Sequence, residues 1–331
     1  MNLDPNHNGL NRRQFLDRLT KAGISITAAC AAGFWFHDSK GPLSSKPKPS
    51  NLVLKDFSIG ALGQKMSIIR GKDRRATLQM ALNSLGGIKT FIKKGDRVLL
   101  KVNAAFASPA MLSATTHPVI ITEMAQLCFK AGAVSVVVTD NPINDPASCF
   151  TLTGIADAAR SAGARVLLPR DDLFSPITVK DAKLIRNWPV LYKPFTDITK
   201  VIGMAPLKDH HRSGASMTMK NWYGLLGGRR NIFHQDIHSI IMELAMMVKP
   251  TLVILDATTS MMTNGPTGGS LSDLKDTNTM IVSTDQVAAD AFGASLLGKS
   301  LDELPFIGKA EAAGIGTADY LKLKPVVSSI Y

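Results

Sequence analysis

Short apolar runs that stop abruptly at a polar side chain constrain this chain more than any other feature. Arg97-Val98-Leu99-Leu100-Lys101-Val102 runs into Asn103, residues 134–139 run into Asp140, and residues 252–255 run into Asp256. Runs this short and this rich in β-branched residues read as strands buried on both faces. Further strands are predicted over 66–69, 165–168, 199–204 and 280–283. Between them lie stretches with helical apolar spacing over 76–92, 118–131, 152–162, 237–248 and 287–297, with a shorter one over 217–226. The 118–131 segment carries both helix boundary signals, Pro118 at its first position and Gly132 just past its end. Strand alternating with helix at this spacing predicts an α/β fold, a mostly parallel sheet flanked by helices in Rossmann-like layers.

In such a sheet, ligands bind beyond the carboxyl ends of the strands, so the residues closing each run are the first site candidates. They are Asn103, Asp140, Asp256 and the Lys208 region. A second concentration follows. Lys208-Asp209-His210-His211, Lys220-Asn221, Arg229-Arg230 and His234 are the densest polar constellation, and four of the seven histidines lie between His210 and His238. Ammonium and guanidinium groups beside imidazoles form a set that takes phosphate or carboxylate. His234 and His238, spaced i and i+4, read either as two metal ligands on one helical face or as unrelated surface residues. His117, in Thr116-His117-Pro118, sits at a helix entry, as a cap or pointing into the crevice.

Several function classes drop out. A 45% hydrophobic and 19% charged composition excludes wholesale disorder. Three cysteines fall short of a disulfide framework and of the four thiolates of an iron–sulfur cluster. Cys128 and Cys149 read as packed apolar residues, with a disulfide left open. No Gly-x-Ser-x-Gly elbow is present. Residues 293–300 fit the phosphate-loop pattern, but a helical stretch precedes Gly293 where a strand is required, so they read as a helix end. The formal net charge of +12 comes with only 6% aromatic residues and no nucleic-acid motif, which argues against nucleic acid as a partner.

The first 50 residues read separately. Arg12-Arg13-Gln14-Phe15-Leu16 precedes a modestly apolar stretch over 22–36 and a Pro/Ser/Lys-rich linker over 40–50. This resembles a twin-arginine translocation signal, with Asp17 where Lys is commoner. The resemblance implies the twin-arginine translocase as a partner and a periplasmic or other extracytoplasmic destination, with an N-terminal membrane anchor if the signal stays uncleaved. Cleavage would follow small residues over 28–32, and Cys30 faintly matches a lipoprotein box. Seven basic and three acidic residues precede Ser50, so a body of 51–331 keeps about +8 of the charge.

Within that body, Lys101-Val102-Asn103, Thr116-His117-Pro118, Asp140-Asn141-Pro142, Lys208-Asp209-His210, Lys220-Asn221-Trp222-Tyr223-Gly224, His234, Asp256-Ala257 and Asp285-x-Val287-Ala288-x-Asp290-Ala291 occur in order. The combination is similar to the domain of unknown function family 362, from about Met66 to Gly316. Val102 replaces a common Pro and Asp209 a common Thr. Members are often labelled iron–sulfur-associated, yet no clustered-cysteine module accompanies this body. The resemblance implies an α/β body and marks Lys101, Asn103, His117, Asp140, Lys208, His210, Lys220, Asn221, His234 and Asp256 as site residues.

The resulting expectation is an exported protein that binds an anionic small molecule or cofactor. Lys208, Lys220 and Arg229 neutralise the anion, Asn103 and Asn221 orient it, and His117, His210 or His234 transfers protons. The competing expectation is an accessory protein holding a metal or cofactor for an exported redox partner; a third is a scaffold with a vestigial crevice. The sequence assigns neither a cofactor nor a metal, and leaves open whether the protein is an enzyme.

Overall fold

The computed structural model describes residues 12–21 and 52–330. The chain divides into a unit Met1–Lys48 and a unit Pro49–Tyr331. In the first, residues 12–21 form an exposed helix in which Lys21 pairs with Asp17 at 2.7 Å. The expected apolar stretch, cleavage region, Cys30 and linker lie outside the described residues. Among those described, no helix is long and apolar enough to cross a membrane.

The second unit is built on a nine-stranded sheet. Its strands are β1 (Met66–Arg70), β2 (Arg97–Lys101), β3 (Ser135–Thr139), β4 (Arg165–Leu167), β7 (Lys200–His210), β8 (Gly214–Ser216), β9 (Leu252–Met261), β10 (Leu274–Ser283) and β11 (Val326–Ser329). The order across the sheet is β11-β1-β10-β9-β7-β2-β3-β4, with β8 hairpinned onto β7. Strands β9, β7, β2, β3 and β4 are mutually parallel, whereas β10 runs antiparallel between β9 and β1. Strands β5 (Phe174–Ile177) and β6 (Trp188–Leu191) make a separate antiparallel pair.

Alternation along each central strand feeds two cores. Val98, Leu100, Ile202, Met204, Leu252 and Ile254 pack with Leu78 of α1 (Arg74–Ser84), Ile120 of α2 (Pro118–Ala131) and Ile155 of α4 (Ile155–Ser161), which follows the short α3 (Pro146–Leu152). Leu99, Val201, Val253 and Leu255 pack on the other face. Their partners include Leu244 of α6 (Ile237–Met247), Val287 of α7 (Gln286–Leu296) and Phe306 of α8 (Pro305–Ala312). Each such side chain taken fully out of water contributes about 1.5–3 kcal/mol. Two helical layers around a mostly parallel sheet is the predicted architecture.

The departures have local causes. The predicted 76–92 helix ends at Ser84, because Gly86 and Gly87 adopt φ of +99° and +80°. The predicted 152–162 helix starts only at Ile155: Leu152 closes the preceding helix α3, and Gly154, φ +75°, separates the two. Strand β7 runs six residues past the predicted Met204, through the segment that reads as a His-rich loop. Its pairing with β9 shifts register between Pro206 and Lys208, which accommodates the proline in a central strand. The phosphate-loop match is the end of α7: Gly293 lies inside that helix, and Lys299 Nζ pairs with Asp209 at 2.9 Å. Cys128 and Cys149 are buried free thiols.

Candidate functional site

The strand order reverses between β2 and β7, since β3 and β4 extend the sheet one way and β9 the other. In open α/β sheets ligands bind at such a switch point, beyond the strands' carboxyl ends. The residues closing β2, β3 and β7 therefore arrive there from separate parts of the chain.

Lys101 and Asp140 form a buried ion pair, Nζ to Oδ1 2.7 Å. Asp140 Oδ2 accepts the Ala104 N–H at 2.7 Å. Lys101 Nζ also donates to the carbonyls of Val102 at 2.8 Å and Asn221 at 2.5 Å. Burial lowers the Lys101 pKa and the Asp140 charge opposes that. Asn221 donates from Nδ2 to the carbonyls of Met204 and Lys101, so its amide joins β2 to β7. Gly224 closes over the pair: a Cβ there would stand 2.0 Å from Asp140 Oδ1 and 2.8 Å from Lys101 Nζ. The glycine lets the backbone approach an ion pair that a side chain would split.

Above the pair lie cations without carboxylates. Lys208 is 1% exposed and donates to the carbonyls of Ala114 at 2.5 Å and Pro266 at 3.2 Å, its ammonium 5.1 Å from the Phe106 ring centroid. Lys220 is 9% exposed; no side chain or carbonyl among the described residues accepts from its ammonium, which lies 5.1 Å from the Tyr223 ring centroid. Burial brings both lysines down to about 7, with Lys220 adding to the effect on Lys208, and Arg230 and Lys101 to that on Lys220. The Arg230 guanidinium is fixed by the carbonyls of Asn141, Leu226 and Pro142 at 2.7–3.2 Å.

The imidazoles form one wall. His210 stacks on His211 and on His234, ring centroids 5.1 and 6.2 Å away. His210 Nδ1 accepts the N–H groups of Arg212 and Ser213, which places its proton on Nε2. Burial, then Lys220 and Lys208, hold it down to about 2. His210 is therefore a neutral ring near neutral pH. His234 Nδ1 meets the Asn231 carbonyl at 3.0 Å and Tyr223 Oη at 3.2 Å. Its pKa is lowered by burial, against the Asn231 hydrogen bond. A cavity of about 830 Å³ borders this wall, lined by Asn141, Pro142, Pro169, Tyr223, Arg230 and His234 among others.

A neighbouring group sits midway along β9, which runs on to Met261 past the strand end expected at Asp256. Arg74, at the start of α1, donates from Nε to Asp256 Oδ2 at 2.9 Å. His117 caps α2 through Nδ1; burial, then Arg74, lower its pKa while Asp256 raises it. Asn103 connects the two groups: its N–H donates to Thr116 Oγ1, which donates to the Met204 carbonyl.

The structure thus brings Lys101, Asp140, Lys208, His210, Lys220, Asn221 and His234 together, with Asn103 at their border and His117 and Asp256 in the adjoining Arg74 group. Arg229 is exposed, and the guanidinium in the cluster is that of Arg230. Residues 230–236 are a 3₁₀ helix, in which i and i+4 do not share a face, so His238 stacks on Phe306 and has no part in the His234 wall. Among the described residues no three His, Cys, Asp or Glu side chains are grouped as metal ligands. Arg74, Phe106 and Tyr223 were not predicted as site residues. Tyr223 stands inside the Lys220-to-Gly224 motif, which was the signal available for it. A second cavity, about 650 Å³, lies at the opposite edge against Gln64, Lys249 and Gln286, and holds no predicted site residue.

The model of a family described as domain of unknown function (DUF362) matches residues 98–295, which holds the whole first group and, of the second, His117, Asn103 and Asp256 but not Arg74. The chain is also 28% identical over 256 residues to a protein of Synechocystis sp. named as thylakoid-associated, an alignment covering 72% of this chain and 75% of that one.

Proposed function

The chain belongs to the DUF362 family, and from that premise we propose that it binds a small anion carrying at least two negative charges in the crevice between β2 and β7. One observation carries the reading. Lys208, Lys220 and Arg230 are at least half-buried, and the carboxylate beside them, Asp140, is already held by Lys101. Uncompensated buried charge is costly, and a bound anion removes the cost by supplying the missing partner. Lys208 and Lys220 hold the anion, Arg230 adds its field from a fixed position, and His210 and His234 donate or accept as neutral rings. Phosphate and carboxylate groups both fit this donor set.

Thermal unfolding of the full chain in sulfate, against chloride at equal ionic strength, tests the reading. Sulfate raises the melting temperature of the parent protein and not of Lys220→Ala. Equal melting temperatures in the two salts for the parent protein overturn it.

The destination belongs to the same proposal. The Arg12-Arg13 pattern supports export through the twin-arginine translocase, and the thylakoid-associated relative supports a place at or beyond a membrane. Replacing both arginines by lysine leaves the protein in the cytoplasmic fraction; unchanged fractionation removes the export reading.

A further inference from the structure

Lys208 and Lys220 lie in one cluster of cations but differ in a way that matters chemically. The Lys208 ammonium is tied to two carbonyls. The Lys220 amine has no acceptor among the described residues, stands over the Tyr223 ring, and is surrounded by other cations. An amine in this setting keeps its lone pair free, and neither an acceptor nor a carboxylate draws a proton onto it.

We propose that Lys220 is a nucleophile that captures a small anionic carbonyl compound, a 2-oxo acid or an aldehyde phosphate, as an imine. The inference rests on the anion-binding reading, since Lys208 and the Arg230 field hold the anionic group while Nζ meets the carbonyl carbon. The Nζ lone pair forms the carbon–nitrogen bond as the carbonyl π pair moves onto oxygen. That oxygen takes up the protons the nitrogen gives up and departs as water, leaving C=N. One water is released and no oxidant or reductant is consumed. Burial and the neighbouring cations bring the amine down to about 7, so most of it is neutral at mildly alkaline pH. An ordinary surface lysine is neutral to about one part in a thousand there.

The test treats the full chain at pH 7.5 with pyruvate in one arm and glycolaldehyde phosphate in the other. Sodium cyanoborohydride reduces any imine, and peptide mapping by mass spectrometry locates it. In at least one arm Lys220 is modified on the order of tenfold faster than Lys208 or surface lysines, half-maximally near pH 7. The arm that labels identifies the anionic group. Lys220→Arg, which keeps the charge but has no nucleophilic amine, loses this labelling. Sulfate stabilisation without preferred labelling of Lys220 overturns the imine and leaves anion binding standing. Loss of both overturns both.

Discussion

Buried acids and buried bases are treated differently in this molecule. Glu243 on α6 is 2% exposed and accepts the N–H groups of Lys183, Leu184 and Ile185 at 2.7–3.0 Å. Asp290 on α7 is fully buried and accepts from Thr218 N, Thr218 Oγ1 and Met219 N at 2.5–3.1 Å, securing the start of α5 (Thr218–Asn221), the helix that carries Lys220. These carboxylates are saturated by backbone donors. The cations of the crevice are not matched by acids, apart from Lys101. A saturated buried group holds a scaffold together, whereas an unmatched one is stabilised only when a partner arrives.

Lys101→Met and Lys220→Met break the comparison most sharply. The first strands Asp140 without its cation and destabilises by about 3–5 kcal/mol in denaturant unfolding. The second removes a charge that had no partner, so the ligand-free protein stays within about 1 kcal/mol of its parent or gains stability. Equal losses from both would show that Lys220 is as fully matched as Lys101. Next in size is Glu243→Ala, which leaves three backbone N–H groups without acceptors and costs about 3 kcal/mol, with the sulfate-induced stabilisation unchanged. Gly224→Ala follows, at about 1–3 kcal/mol, because its methyl group enters the space of the Lys101–Asp140 pair.

The same contrast explains what could be read from the sequence. Asn103 and Asp140 were legible because each follows a short, mainly apolar run that is also a strand, whereas Asp256, which follows a similar run, lies midway along β9. The path of β7 was not, since Pro206, Lys208 and His210 carry polar or turn signals in a strand that a register shift and the β8 hairpin support. Arg230 in place of Arg229 follows from a 3₁₀ turn that has no periodic signature, so adjacent arginines could not be told apart. The pairing of Arg74 with Asp256 joins residues far apart in the chain, and neither one's local pattern encodes the other. Saturation is a property of tertiary neighbours: sequence shows that Lys101 and Lys220 are both lysines, and only the fold gives one a carboxylate.

The pH dependence of the ligand-free protein carries opposite signs for the two kinds of group. Lys208 and Lys220 titrate at about 7 when folded and 10.5 when unfolded, so between those values the unfolded chain binds more protons. Their contribution therefore makes stability rise with pH from about 7 to 10.5. Asp290 is raised by burial from 3.8 to about 7, so in that lower window the folded protein binds the extra proton and its contribution falls as pH rises. Subtracting the Asp290→Asn curve from the parent curve isolates the falling limb below pH 7, and subtracting the Lys220→Met curve isolates a rising limb above it. Saturating sulfate flattens the upper limb alone, because a bound anion restores the lysines toward their ordinary range while Asp290 keeps its backbone donors. An upper limb that ignores sulfate would mean that the bases of the crevice, like the acids, are already matched from within the fold.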